Sequence, residues 1–136
     1  MPRVVLEKRY GATQKAVVKG LVDYNRSVLG PQPWKTVAVS VRDGDAIAGG
    51  VVGEVWAGWL FIKLLWLHEA LRRQDLGSEA VGTLEAEARR LGATQAYVDT
   101  FSFQAPDFYR KLGYHEFGRL EGWPLGHSRY WMTKAL

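Results

Sequence analysis

Apolar and polar positions change period several times along the 136 residues, and each change marks an element. Residues 2–9, PRVVLEKR, alternate and predict a first strand. From Thr13 to about Val28 the period lengthens. Val17, Leu21, Tyr24 and Val28 share one side, which predicts a helix with Thr13 as its cap. GPQPW (30–34) breaks it. TVAVSVR and AIAGGVVGEVW then flank Asp43-Gly44, a two-residue hairpin signal. Gly49 and Gly50 weaken the second of these strands and mark a bulge. Ala57-Gly58 turns a second hairpin. WLFIKLLWL returns from it as a strand read as buried on both faces.

The second half begins with a helix over about Leu76–Leu91. Its apolar face is Leu76, Ala80, Leu84, Ala88 and Leu91, and Gly92 ends it. AYVDTF is a strand. Ala105–Leu112 is a short helix with Pro106 in its first turn and Gly113 past its end. YHEFGRLE and RYWMTKAL are closing strands around the loop from Gly122 to Gly126. The order β-α-β-β-β-α-β-α-β-β predicts an α+β or α/β domain. Its sheet is mostly antiparallel, with one helical crossover between central strands.

Composition narrows the chemistry. The chain has no cysteine, which excludes disulfides, thiolate zinc sites and thiol nucleophiles. Neither a signal peptide nor a membrane span is readable, so a cytoplasmic protein without membrane partners is expected. The net charge of +4 would suit a polyanion. The cations are not gathered into a tail or stripe, however, and no nucleic-acid partner is expected.

One stretch has the physics of an anion site. In LLWLHEALRRQDLGS a buried strand enters a basic turn and then a helix. The first N–H groups of that helix lack intrahelical partners and lie at the positive end of its dipole. Gly77 permits close approach, Arg72 and Arg73 add charge, and Ser78 offers a hydroxyl. A phosphate or pyrophosphate is the expected guest. The plainer alternative is a strand-to-helix turn with Asp75 as a simple N-cap. A second stretch, FSFQAPDFYRKLGY, sets Tyr109 among phenylalanines on the short helix. A buried tyrosine hydroxyl needs a partner or a task.

Taken in order, RRQDLGS and FSFQAPDFYRKLGY resemble the two motifs of the GNAT acetyltransferase superfamily. Arg72 and Gly77 match the first motif, and Asp75 stands where the family has glycine. Tyr109, Lys111, Leu112, Gly113 and Tyr114 match the second, and Ser102 replaces an asparagine. The resemblance runs nearly the whole chain in element order and is strongest from about Leu60 onward. It implies a single domain over residues 1–136. The implied fold is an α/β/α sandwich with a splayed, mostly antiparallel mixed sheet and helices on both faces. The implied reaction is transfer of an acetyl group from acetyl-coenzyme A to a primary amine by direct attack, without a metal.

On this resemblance the pantetheine arm lies between Leu60–Leu67 and Ala96–Phe101, with Leu65, Trp66 and Leu67 lining it. The pyrophosphate sits on Arg72, Arg73, Gln74, Leu76, Gly77 and Ser78. Ser102 and Phe108 complete the cofactor site, and Tyr109 is the acid that protonates the leaving sulfur. Candidates for the base are Glu54, Asp99 and His127. His68 is a weaker one, and His115 reads as solvent-facing. The acceptor would be a small-molecule or peptide amine, and a homodimer is possible on the family's precedent. The six tryptophans suit core packing, an aromatic acceptor pocket or a dimer surface equally. Because Asp75 faces a site meant for anions, the alternative is a non-catalytic coenzyme A sensor of the same fold.

Overall fold

The computed structural model describes all residues, 1–136. They fall into two compact units, Met1–Gln32 and Pro33–Leu136. In the first, α1 spans Gly11–Leu29. It starts two residues before the expected Thr13, and its opening bond runs from the Gln14 N–H to the Tyr10 carbonyl (2.8 Å). Thr13 is therefore inside the helix rather than its cap. The strand expected over PRVVLEKR does not form. Alternation supplies a face, but a strand also needs a neighbouring edge for its backbone groups, and residues 2–9 pair with none.

In the second unit six strands form one sheet in the order β1-β2-β3-β4-β6-β5. They are β1 (Lys35–Asp43), β2 (Ala46–Trp56), β3 (Trp59–Leu67), β4 (Gln95–Phe101), β5 (His115–Glu121) and β6 (Ser128–Ala135). Every pairing is antiparallel except β3 with β4, which α2 (Leu76–Arg90) connects as a crossover. The first hairpin turns at Gly44-Asp45, one residue later than expected, because Asp43 still pairs with Ala46. The bulge read from Gly49 and Gly50 falls beside them: Val41 pairs with Gly49 and Arg42 with Ile47, so Ala48 is an extra residue on β2. Side chains could not fit at either glycine: a Cβ on Gly50 would lie 2.4 Å from the Val39 carbonyl oxygen.

The core lies between one face of the sheet and α2. Val51, Val55, Leu60, Ile62, Val98 and Met132 of the sheet meet Ala80, Val81, Leu84 and Ala88 of the helix. The third helix, α3 (Pro106–Lys111), packs on the same face through Phe108 and Tyr109. A charged group is built into this core. Glu85 of α2 is 5% exposed. It accepts the Tyr114 hydroxyl at 2.7 Å and the Lys134 ammonium at 3.0 Å, so α2 is tied both to β6 and to the segment after α3.

Within residues 33–136 β3 is covered on one face only, against the expectation of two. Leu64 and Trp66 are 60% and 58% exposed. Both are apolar, which makes the strand look doubly buried, but within residues 33–136 both helices lie on the opposite face. No helix of the chain is long and apolar enough to cross a membrane.

Candidate active site

The site begins where two strands part. β3 and β4 pair from Trp59↔Gln95 to Ile62↔Val98 and then separate. β3 stays on β2 as far as Leu67, and β4 stays on β6 as far as Phe101. The cause is local. Val52 pairs with Leu64 and Gly53 with Ile62, so Lys63 is an extra residue on β3. A bulge of this kind bends its strand, and this one sits where β3 leaves β4.

Two adjoining cavities open at the gap, sharing Leu65, Gln104 and Ala105. The larger, about 680 Å³, runs from Leu65, Trp66 and Leu67 to the start of α2 and across to Phe108 and Lys111. The turn into α2 is unusual. Arg73 and Asp75 both take left-handed backbone conformations, with φ of 65° and 62°, which non-glycine residues adopt at a cost. Asp75 precedes the helix, but its side chain caps nothing, against the simple N-cap reading. Arg72 donates Nε–H to the Leu67 carbonyl (3.0 Å) and pins the turn to the end of β3. Arg72, Arg73, Gly77 and Ser78 all line the cavity, and so does Asp75. Gly77 has a second reason to lack a side chain: its Cβ would come within 3.2 Å of the Phe108 ring. Gly77 thus lets α3 lie against the start of α2.

The smaller cavity, about 150 Å³, lies at the fork itself. Tyr109 and Asp99 both line it. Tyr109 is 4% exposed, with its ring edge-on to Phe108 and Tyr114. The hydroxyl forms no hydrogen bond to the protein, in contrast with that of Tyr114. Burial, aided by the nearby Asp99 charge, pushes the Tyr109 pKa up to about 12. The phenol is therefore a proton donor throughout the neutral range.

The three base candidates are placed differently. Glu54 is engaged by Lys63 Nζ at 3.0 Å. His127 Nδ1 lies 3.4 Å from Ser102 Oγ, with its ring edge-on to Phe103. Asp99 alone of the three lines a cavity with Tyr109. Arg129 donates Nε–H (2.9 Å) and a terminal N–H to the same oxygen, Oδ1, so Oδ2 is left without a protein partner. The guanidinium that orients Asp99 is itself held over the Trp123 ring, 4.4 Å from its centroid.

Some expected site residues lie outside both cavities. Ser102 accepts the Ser128 N–H (3.0 Å) and ties β4 to β6. Gln74 donates to the Ala70 carbonyl. Leu76 packs against the core. His68 accepts the Ala70 N–H on Nδ1 and caps a single 3-10 turn. His115 is exposed, as expected. Phe103, Gln104 and Ala105 line the large cavity without having been expected there. They stand in the stretch before Pro106, where nothing in the sequence separates cavity lining from loop.

A family model described as "Acetyltransferase (GNAT) family" matches residues 14–114. The chain belongs to the GNAT acetyltransferase family. Acetyltransferase Atu2258 of Agrobacterium fabrum is 33% identical over 122 residues, 89% of each chain. The blasticidin-S acetyltransferase of Streptomyces morookaense is 37% identical over 91 residues, 66% of this chain and 67% of that one. Among solved structures, an acetyltransferase from Bacillus cereus superposes with a TM-score of 0.90 at 33% identity, covering 99% of this chain and 98% of its own. Membership in the GNAT family agrees with the mixed, mostly antiparallel open sheet and its forked central strands.

Proposed function

We propose that this GNAT protein transfers an acetyl group from acetyl-coenzyme A to a primary amine by direct attack. The observation that carries the reading is the hydroxyl of the buried Tyr109: protonated and without a protein partner, at a small cavity adjoining one large enough for an extended cofactor arm. The residues fit that cofactor. Leu65, Trp66 and Leu67 offer an apolar wall for the arm. Arg72, Arg73 and the first N–H groups of α2 offer charge and donors for its pyrophosphate. When bound, acetyl-coenzyme A supplies an activated acetyl group.

The chain's own residues handle protons. Tyr109 offers its hydroxyl proton to the departing sulfur. Asp99, with Oδ2 free, accepts a proton from the incoming ammonium, directly or through water. An alkyl ammonium has a pKa near ~10.4 and is rarely neutral at pH 7, so a base at this point assists the attack. The acceptor is a small-molecule or peptide amine. The name of the blasticidin-S acetyltransferase relative supports including amine-bearing antibiotics among the compounds tried.

The test pairs calorimetry with acetyl-coenzyme A and thiol release over a panel of amines. Arg72→Ala/Arg73→Ala is expected to weaken acetyl-coenzyme A roughly tenfold or more, from lost charge-assisted bonds. Thiol release that depends on an added amine supports the transferase. Tight binding with no release for any amine favours the sensor reading instead, and no binding removes both. Asp75 makes a further prediction, because its carboxylate lines the cavity without an ion pair. Asp75→Asn is expected to tighten acetyl-coenzyme A about fivefold, since one like-charge contact in water costs about 1 kcal/mol. The same calorimetry checks it.

A further inference from the structure

The two cavities at the fork share Leu65, Gln104 and Ala105. Of these, only Gln104 brings a polar side chain to the junction. What it meets fixes its orientation. The Phe101 N–H can only donate, and it lies 3.0 Å from one terminal atom of the Gln104 amide, so that atom is the oxygen, Oε1. The Thr100 hydroxyl lies 3.4 Å from the same oxygen. Nε2 is the atom left over, and neither of its two N–H donors has an acceptor in the protein.

The backbone holds this side chain in place. The Gln104 N–H donates to the Phe101 carbonyl at 2.9 Å and closes a turn. The Ala105 N–H donates to Thr100 Oγ1 at 3.3 Å. The Ser102 N–H runs to the carbonyl of Ser128, at the start of β6. Successive N–H groups of an extended strand point to opposite edges, so the Phe101 N–H points away from β6, toward the fork. By taking it, Gln104 stands on the edge of β4 that β3 has left.

We propose that Gln104 donates from Nε2 to the carbonyl oxygen of the acetyl group being transferred. This rests on the acetyl-transfer reading above. An arm that lies along Leu65–Leu67 and brings its sulfur to Tyr109 crosses the junction with its thioester. Attack bonds the amine nitrogen to the acetyl carbon and breaks the carbon–sulfur bond. The electron pair of that bond leaves on sulfur, and the nitrogen gives its proton to Asp99. Negative charge gathers meanwhile on the carbonyl oxygen. Asp99 is a carboxylate and Tyr109 serves the sulfur, so neither meets that charge. A neutral amide donor does, and it exchanges no proton. Held in place beforehand, it needs no reorganisation when the charge develops.

The decisive variant is Gln104→Glu, which keeps an oxygen facing the Phe101 N–H and removes only the donor. Its urea midpoint is expected to match the wild type. Its kcat is expected to fall about 30-fold, within what one hydrogen bond to a charged group contributes. A second readout needs no turnover: the infrared carbonyl stretch of bound acetyl-coenzyme A, isotope-labelled at the carbonyl carbon. A hydrogen bond weakens the C=O bond, so the stretch is expected at lower wavenumber in the wild type than in the variant. Gln104→Met repeats the comparison without adding a charge. A carbonyl stretch or a kcat that is the same with and without the donor overturns the proposal and leaves acetyl transfer standing. A wild-type chain that releases no thiol with any amine removes the acetyl-transfer reading, and this proposal with it.

Discussion

Tyr109→Phe is expected to lower kcat about 100-fold while leaving the affinity for acetyl-coenzyme A unchanged. The substitution removes one oxygen and keeps the ring that packs on Phe108 and Tyr114, so the fold has little to lose. No hydrogen bond of the protein is broken either, because the hydroxyl makes none. General acid catalysis contributes about 10²–10⁴-fold. The lower end applies here: complete transfer from a phenol of pKa about 12 to a thiolate of pKa ~8.5 is uphill. The hydroxyl then serves mainly as a hydrogen-bond donor to developing charge. Since the Tyr109 pKa is raised, its donor form persists as pH climbs, and kcat/KM for the amine should rise from neutral to alkaline pH as the amine loses its proton. An equal rate in the variant, or a drop in rate matched by a drop in affinity, would show that Tyr109 does not act on the leaving group.

Lys134→Met is expected to destabilise the protein by about 3 kcal/mol, read from the urea midpoint. Lys134 and Glu85 meet at 3.0 Å with side chains 22% and 7% exposed. Removing the ammonium leaves a carboxylate buried with Tyr114 as its remaining partner, and breaking a buried pair from one side costs about 3–5 kcal/mol. Removing both charges is a different experiment, since an apolar pair of similar volume is often neutral. Glu85→Leu/Lys134→Met is therefore expected to recover most of the loss. If the single variant unfolds at the wild-type midpoint, the pair is effectively solvated and α2 is held by its apolar face alone. The position matters for the site as well, because this group ties the helix whose N-terminus faces the large cavity to β6.

The elements of residues 33–136 are legible in the sequence because each carries its own local signal. The glycine and turn residues at 43–45 and 57–58 set the hairpins to within a residue. The 3.6-residue spacing of Ala80, Leu84 and Ala88 sets α2 and its buried face. The two motifs that carry the family resemblance, RRQDLGS and FSFQAPDFYRKLGY, are also contiguous, so the family is readable from the chain's residue order alone. Where local pattern is the only guide, it misleads. PRVVLEKR alternates like a strand and forms none, and WLFIKLLWL looks doubly buried but within residues 33–136 is covered on one face only.

What the tertiary structure decided was which residues meet. Asp99 and Tyr109 line one small cavity because Lys63 is an extra residue on β3 and the sheet forks there. No local pattern ranks Asp99 above Glu54 or His127. Their difference lies in partners far along the chain: Lys63 for Glu54, Arg129 for Asp99, and Ser102 for His127. The buried Glu85 likewise looks like a surface residue of an amphipathic helix until Tyr114 and Lys134 arrive from 29 and 49 residues away. Periodicity records which face of an element avoids water. It does not record what covers that face, because the cover comes from elsewhere in the chain.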